Sequence, residues 1–123
     1  MALPDVSQIE PVNVAHINEL RDQVAGDGSL YNRLFTIFEE EGPELVSQLR
    51  ELLPKGVHQD IHEVIHKVKG SSAAMGATRI HTLAAAGVEI CRAESDLSEL
   101  DGIADQLESE YALYLREAKR FLD

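Results

Sequence analysis

Apolar residues recur every three or four positions along most of this chain, and no segment alternates convincingly between apolar and polar residues. That period is typical of amphipathic helices and not of β-strands. The first pattern follows Asn13, a residue type that caps helices, and ends near Gly26 and Gly28. Its apolar positions are Val14, Ile17, Leu20 and Val24. We therefore expect a short first helix, preceded by an extended lead-in over residues 1–12.

Two longer patterns occupy the middle of the chain. The first follows Ser29 and keeps its phase through Gly42-Pro43, which predicts one helix kinked at the proline rather than two helices. Its apolar positions are Leu30, Leu34, Ile37, Phe38, Leu45, Leu49 and Leu52. The next helix carries Val57, Ile61, Val64, Ile65 and Val68, and Met75-Gly76 ends it.

Two further patterns complete the fold. Thr78 is the expected cap of a helix whose inner positions are Ile80, Leu83, Ala84, Gly87 and Cys91. The last helix is expected from about Ser98, with apolar positions Leu100, Ile103, Ala104, Leu107, Tyr111, Leu115, Ala118 and Leu122. Four amphipathic helices joined by short turns bury their apolar stripes together. The sequence thus predicts an all-α, up-down four-helix bundle with an additional short N-terminal helix, in one domain over residues 13–123.

Composition narrows the class of protein. The 123 residues include 22 acidic and 11 basic ones, a formal net charge of −11, which repels nucleic acid and anionic lipid. The single Cys91 excludes an internal disulfide and a zinc site built from cysteines alone. No apolar run has the length of a membrane span, and the N-terminus lacks a signal pattern. We expect a cytoplasmic monomer that binds neither nucleic acid nor membrane.

The acidic residues are unevenly distributed. Residues 64–88 contain no Asp or Glu, yet they include three cationic side chains and two histidines: Lys67, Lys69, Arg79, His66 and His81. An acidic protein that keeps one window free of acids is expected to bind an anion there. Chance clustering around a buried helix pair is the alternative.

His66 is predicted to point away from the core. At about 100° per residue, it lies about 180° from Val57, almost opposite the apolar arc of its helix. Lys69 and Gly70 flank it on the same outer face. A neutral imidazole is a nucleophile near neutral pH, and an ammonium beside it can pair with phosphoryl oxygens. A glycine in an exposed helix interior costs about 1 kcal/mol relative to alanine, which close approach of a partner would offset. An idle surface histidine is the alternative.

The order His66-x-x-Lys69-Gly70-Ser71-Ser72-x-x-x-Gly76 resembles the signature of histidine-containing phosphotransfer (Hpt) domains, helical bundles that act in phosphorelays. The likeness extends from about residue 13 to the C-terminus. It implies that His66 accepts a phosphoryl group from the aspartyl phosphate of a receiver domain and passes it to another receiver. It also implies that Lys69 helps to hold the phosphoryl group and that Gly70 gives the partner access.

The resemblance also implies partners and a supporting residue. Response-regulator receiver domains, a hybrid sensor histidine kinase, or both would be the partners. Arg92 lies where some members carry a basic residue on the next helix, whereas Val88 replaces a polar residue of some relatives. Glu63, one turn before His66, is a further hypothesis, as a group that orients the imidazole. The chain has no phosphate-cradling G-x-x-x-x-G-K-[ST] segment, so we expect a carrier without an ATP site and no cofactor, with Mg²⁺ held by the receiver partner.

The same helix contains a rival motif. Residues 62–66 read H-E-x-x-H, the zinc-protease pattern, and His58, His62 and His66 repeat at four-residue intervals. The longer protease pattern needs Gly at position 69 and His at position 72, where this chain has Lys and Ser. Adventitious metal binding by the three histidines and an interaction bundle without chemistry remain alternatives. Replacing His66 with Gln separates them, because it abolishes phosphotransfer, weakens metal uptake and leaves a passive surface intact.

Overall fold

The computed structural model describes residues 3–23, 28–94 and 96–122, and within them it contains helices and no strand. These described residues form five α-helices: α1 (Val14–Asp22), α2 (Ser29–Leu52), α3 (His58–Ala74), α4 (Thr78–Arg92) and α5 (Ile103–Ala118). Short 3₁₀ turns cover Leu53–Lys55, Leu97–Leu100 and Lys119–Phe121. None of these helices is both long enough and apolar enough to cross a membrane.

Helices α2 to α5 form the bundle. Each of them packs against two others, and α3 and α4 make the most extensive contact. The first and last helices of the bundle run antiparallel: the Tyr31 hydroxyl near the start of α2 donates to the carbonyl oxygen of Ala118 at the end of α5, 3.4 Å away. At the opposite end, Arg50 Nη1 lies 2.7 Å from Asp105 Oδ1. The predicted all-α four-helix bundle with a short extra N-terminal helix is confirmed.

The core follows most of the predicted stripes but differs in the first half of α2. Tyr31, Phe35 and Phe38 are buried there, whereas Ile37, which was predicted to be inward, is 50% exposed. Phe38 takes the inner position, with its ring centroid 5.1 Å from that of Tyr111 and 5.2 Å from that of Tyr114 on α5. Beyond Pro43 the helix continues without a break, so the prediction of a single helix is confirmed.

Several predicted helix starts were wrong. Thr78 is the first residue of α4 and Ala77 is its cap, because the Thr78 hydroxyl donates to the carbonyl oxygen of Glu10 instead. Val57 was expected on the inner face of α3, but it caps that helix and is 47% exposed. The last α-helix begins at Ile103 and not near Ser98. The left-handed backbone of Gly102, at a φ of 83°, separates this helix from the preceding 3₁₀ turn.

The first helix begins as predicted and ends earlier. The Asn13 side chain accepts from the backbone N–H of His16 at 3.1 Å, which confirms it as the cap. The helix ends at Asp22 rather than near Gly26 and Gly28, since the chain is already extended at Gln23. Val24 and Gly26 lie outside the described residues. Gly28 instead precedes α2 with a left-handed backbone, at a φ of 77°.

The segment before α1 packs onto the bundle. It forms no helix or strand from residue 3 to residue 12, yet Val6 and Val12 are buried in the common core. Arg79 on α4 holds it through two backbone carbonyls: Nε donates to Ile9 at 2.6 Å and Nη2 donates to Ser7 at 3.1 Å. The division into a lead-in over residues 1–12 and a domain over residues 13–123 remains our proposal.

Candidate functional site

The outer face of α3 carries His66 into solvent. Ile65 and Val68 on the same helix are fully buried against the bundle, while the His66 side chain is exposed. This agrees with the outward orientation expected from the 3.6-residue period. The histidine is therefore open to approach by a partner along one side of the bundle.

Gly70 lies one turn after His66 and faces open space. A Cβ atom placed on it would have no neighbouring atom within 4 Å among the described residues, so none of them requires a glycine there. Its backbone is helical and needs no left-handed conformation. The glycine thus removes side-chain bulk beside His66, as the access role in the sequence-based interpretation requires.

Lys69 is half-exposed beside His66, and its backbone is braced by a second helix. Its carbonyl oxygen accepts from the Ser72 hydroxyl at 3.1 Å, and Nδ1 of His81 on α4 lies 3.2 Å from the same oxygen. Ser72 is fully buried and also donates to Val68 at 2.6 Å. These bonds fix the turn of α3 that carries Lys69 and Gly70. His81 was noted in the sequence only as part of the acid-free window, because nothing in the sequence brings it next to Lys69.

The ring that contacts His66 belongs to His62, one turn earlier. The two ring centroids are 5.7 Å apart and their planes differ by 13°, which is a stacked arrangement. Glu63, the residue hypothesised to orient His66, accepts instead from Gln59 Nε2 at 3.3 Å. The orienting role of Glu63 remains a hypothesis, and the contact with His62 was not foreseen.

Arg92 ends α4 and points into solvent. Its guanidinium pairs with Glu89 on the same helix, with Nη1 and Oε1 3.2 Å apart. Arg92 also lines a shallow depression between α3 and α4, together with His58, His62 and Cys91. Only Nη1 of the guanidinium is engaged in this pair, so its other N–H groups are the ones that could support a phosphoryl group.

The metal alternative gains no support from the described residues. No group of three or more His, Cys, Asp or Glu side chains among them is arranged to hold a metal ion. Cys91 is buried, and burial raises the pKa of its thiol, which disfavours the thiolate that binds metals. The repeat of His58, His62 and His66 along α3 does not by itself form a site.

Comparison with known proteins adds a family match. The sequence model of the Hpt domain matches residues 33–118, which include most of α2 and all of α3, α4 and α5. The match therefore spans nearly the whole bundle, including the histidine-bearing helix. No curated protein and no solved structure matches the chain.

Proposed function

The chain belongs to the Hpt domain family, which acts in phosphotransfer within two-component phosphorelays, and we propose that His66 is the residue on which it carries the phosphoryl group. The observation that supports this assignment is the outward His66 on α3 beside the open space at Gly70. The donor would be the aspartyl phosphate of a receiver domain, and the acceptor would be the aspartate of another receiver.

The transfer needs only a nucleophile and an aligned phosphoryl group. The lone pair of the unprotonated ring nitrogen of His66 forms the N–P bond while the P–O bond to the receiver's aspartate breaks. The aspartate leaves as a carboxylate with the electron pair, and the proton on the other ring nitrogen passes to solvent from the phosphorylated ring. The reverse sequence returns the phosphoryl group to a second receiver. Such transfers depend mainly on positioning and on charge stabilisation.

Lys69 and Gly70 have separate roles in this proposal. The Lys69 ammonium, half-exposed one turn after His66, pairs with the oxygens of the phosphoryl group as a compact charge. Gly70 lets the receiver backbone approach His66 without meeting a side chain. The roles of Arg92 and Glu63 are subsidiary, as an added positive charge and as an orienting carboxylate.

The partner would supply everything else that the transfer needs. The chain lacks a G-x-x-x-x-G-K-[ST] segment, so we propose a carrier that uses no ATP of its own. The Mg²⁺ ion is assigned to the receiver domain. The functional unit is proposed to be a monomer, which engages receiver domains or a hybrid kinase one at a time through the face around His66.

The test is transfer from a phosphorylated receiver domain in the presence of Mg²⁺. Wild-type protein, His66→Gln and His58→Gln are compared, the last being a matched control on the same helix two turns away. Intact mass is measured at neutral or alkaline pH, because phosphohistidine is labile in acid. We expect one added phosphoryl group on the wild type and on His58→Gln, and none on His66→Gln.

Three results would overturn the assignment. A phosphoryl group on His66→Gln would place the acceptor elsewhere. No transfer to the wild type from a broad receiver panel, with the fold intact, would favour the passive interaction bundle. Stoichiometric zinc uptake that is lost in both histidine variants would favour the metal alternative.

A further inference from the structure

His62 presents the flat face of its ring to His66. We propose that His62 is a positioning residue, whose stacked imidazole holds the His66 ring in the orientation in which it meets the phosphoryl donor. The proposal rests on the 5.7 Å separation and the 13° angle between the two rings. It also rests on the proposed function, because the orientation of the His66 ring matters for transfer only if His66 accepts the phosphoryl group.

The direction of side chains on a helix explains why the contact falls on this residue. Long side chains in an α-helix lean back towards the N-terminus, onto the residue four positions earlier. For His66 that residue is His62, whereas Lys69 and Gly70 lie ahead of it. Since Gly70 offers no side chain, the ring of His66 is supported from the His62 side and open on the other. A neighbour stacked on one face of the ring leaves the ring edge free, where the nitrogen lone pairs lie in the ring plane.

His62 is itself held in place, which a positioning residue requires. The side chain is half-buried, and its Nε2 atom is buried in the described structure without a hydrogen-bond partner. The same side chain lines the depression beside Cys91 and Arg92 of α4. A half-buried ring has fewer accessible rotamers than an exposed one and can restrict its neighbour.

Restricting the ring of His66 contributes to the transfer rate. A freely rotating surface histidine would present its reactive nitrogen to the donor in only part of its rotamers. When one orientation is held before the partner arrives, the entropy of ordering the His66 ring is not lost during the reactive encounter. The contact is too weak to be essential, so its loss should slow transfer about three- to tenfold, within the range expected of one aromatic pair.

Two substitutions distinguish stacking from simple bulk. His62→Phe keeps a flat ring at the same position, while His62→Leu keeps apolar volume without the plane and is a good helix former. The χ1 couplings and ring proton shifts of His66 are measured first by NMR on the unphosphorylated proteins. We expect one dominant rotamer in wild type and His62→Phe, and averaged couplings in His62→Leu. Single-turnover transfer from a saturating phosphorylated receiver should be about three- to tenfold slower in His62→Leu than in wild type and His62→Phe, with unchanged receiver affinity.

The outcomes separate this inference from the proposed function. Averaged His66 couplings in the wild type, or wild-type transfer rates in His62→Leu, would overturn the positioning role while leaving His66 as acceptor. A rate as slow in His62→Phe as in His62→Leu would also overturn it, since an imidazole-specific effect would then be at work. No transfer to the wild type would refute the proposed function, and the NMR couplings would still test the stack. Thermal unfolding of each variant verifies that the bundle is intact.

Discussion

Two tyrosines one turn apart on α5 differ in the hydrogen bonding of their hydroxyl groups. Tyr111 and Tyr114 are both buried, and both rings pack against Phe38. The Tyr114 hydroxyl donates to the carbonyl oxygen of Met75, at the end of the histidine-bearing helix, at 2.6 Å. The Tyr111 hydroxyl is buried with no hydrogen-bond partner in the described structure, and the Ser71 hydroxyl near it donates to Val68 instead. The Tyr114 hydroxyl thus has a close acceptor, while burial of the Tyr111 hydroxyl is offset only in part, by the nearby Ser71 hydroxyl.

Replacing each of these tyrosines with phenylalanine should therefore have opposite effects. Tyr114→Phe leaves the Met75 carbonyl without its donor and should lower the free energy of unfolding by about 1 kcal/mol. Tyr111→Phe removes an unpaired hydroxyl and should leave that free energy unchanged or raise it. Urea denaturation of the two variants measures both. Equal losses would show that the Tyr111 hydroxyl has a partner in solution.

Burial of the tyrosines also predicts an alkaline limit to stability. Desolvation raises the pKa of Tyr111 and Tyr114 strongly and that of Tyr31 to a lesser degree, and these are the three tyrosines of the chain. Because the folded pKa lies above the unfolded value near 10, their contribution is complete below pH 10 and is lost as the pH rises above it. We expect phenolate absorbance at 295 nm to appear together with the unfolding transition. A rise near pH 10 with the helical signal intact would contradict this, and Tyr111→Phe should reduce the alkaline loss.

At the scale of the helix, two interior glycines occupy opposite environments. A Cβ atom at Gly70 would meet nothing within 4 Å, whereas one at Gly42 would lie 2.8 Å from Cδ1 of Tyr111. Gly42 is therefore needed to admit the Tyr111 ring against α2, and Gly70 has no such internal cause. Both were visible in the sequence as glycines inside helical patterns, but only the packing of α2 on α5 separates their roles.

Alanine at these two positions provides a matched comparison. Gly70→Ala should raise the free energy of unfolding by up to about 1 kcal/mol, because alanine is the better helix former and the space is open. Gly42→Ala should destabilise the protein, since the new methyl group overlaps a buried ring and the position before Pro43 disfavours a helical residue with a Cβ atom. Chemical denaturation gives both values, and phosphotransfer to a bulkier variant, Gly70→Gln, should be slowed. Stabilisation by Gly42→Ala, or undiminished transfer to Gly70→Gln, would contradict these explanations.

Much of the element order could be predicted because it depends on local periodicity. The single helix through Pro43 and the Asn13 cap are examples. The errors fall where a residue has a tertiary partner that periodicity does not encode. Thr78 resembles a cap in sequence but bonds to Glu10, and Phe38 displaces Ile37 from the core because its ring packs on α5.

At the scale of the whole molecule, the candidate site also contains residues that the sequence could predict and contacts that it could not. His66, Lys69 and Gly70 could be proposed from the sequence because they lie within five residues of one helix. The brace from His81 to Lys69 joins two helices, and no spacing reveals it. Arg79 was noted in the sequence only as part of the acid-free window, but it joins the N-terminal segment, α4 and α5.

Arg79 faces an acidic partner in a mostly buried place. Its Nη1 lies 3.7 Å from Oε1 of Glu110 on α5, and the two side chains are only 19% and 16% exposed. That carboxylate oxygen is buried without a hydrogen bond among the described residues, so the nearby guanidinium is its main compensation. Removing the arginine alone would leave a carboxylate desolvated, which costs more than removing both groups.

A double-mutant cycle tests whether this junction holds the three elements together. Arg79→Met should lower the free energy of unfolding by about 2 kcal/mol, since it frees Ser7 and Ile9 and isolates Glu110. The loss in Arg79→Met/Glu110→Gln should be smaller than the sum of the single losses by more than about 0.5 kcal/mol. Limited proteolysis should cut near residues 5–10 faster in Arg79→Met, because the segment has lost both hydrogen bonds to Arg79 and keeps only the Thr78–Glu10 hydrogen bond and its buried apolar side chains. Additive losses with unchanged proteolysis would mean that these remaining contacts, and not the arginine, secure the segment to the bundle.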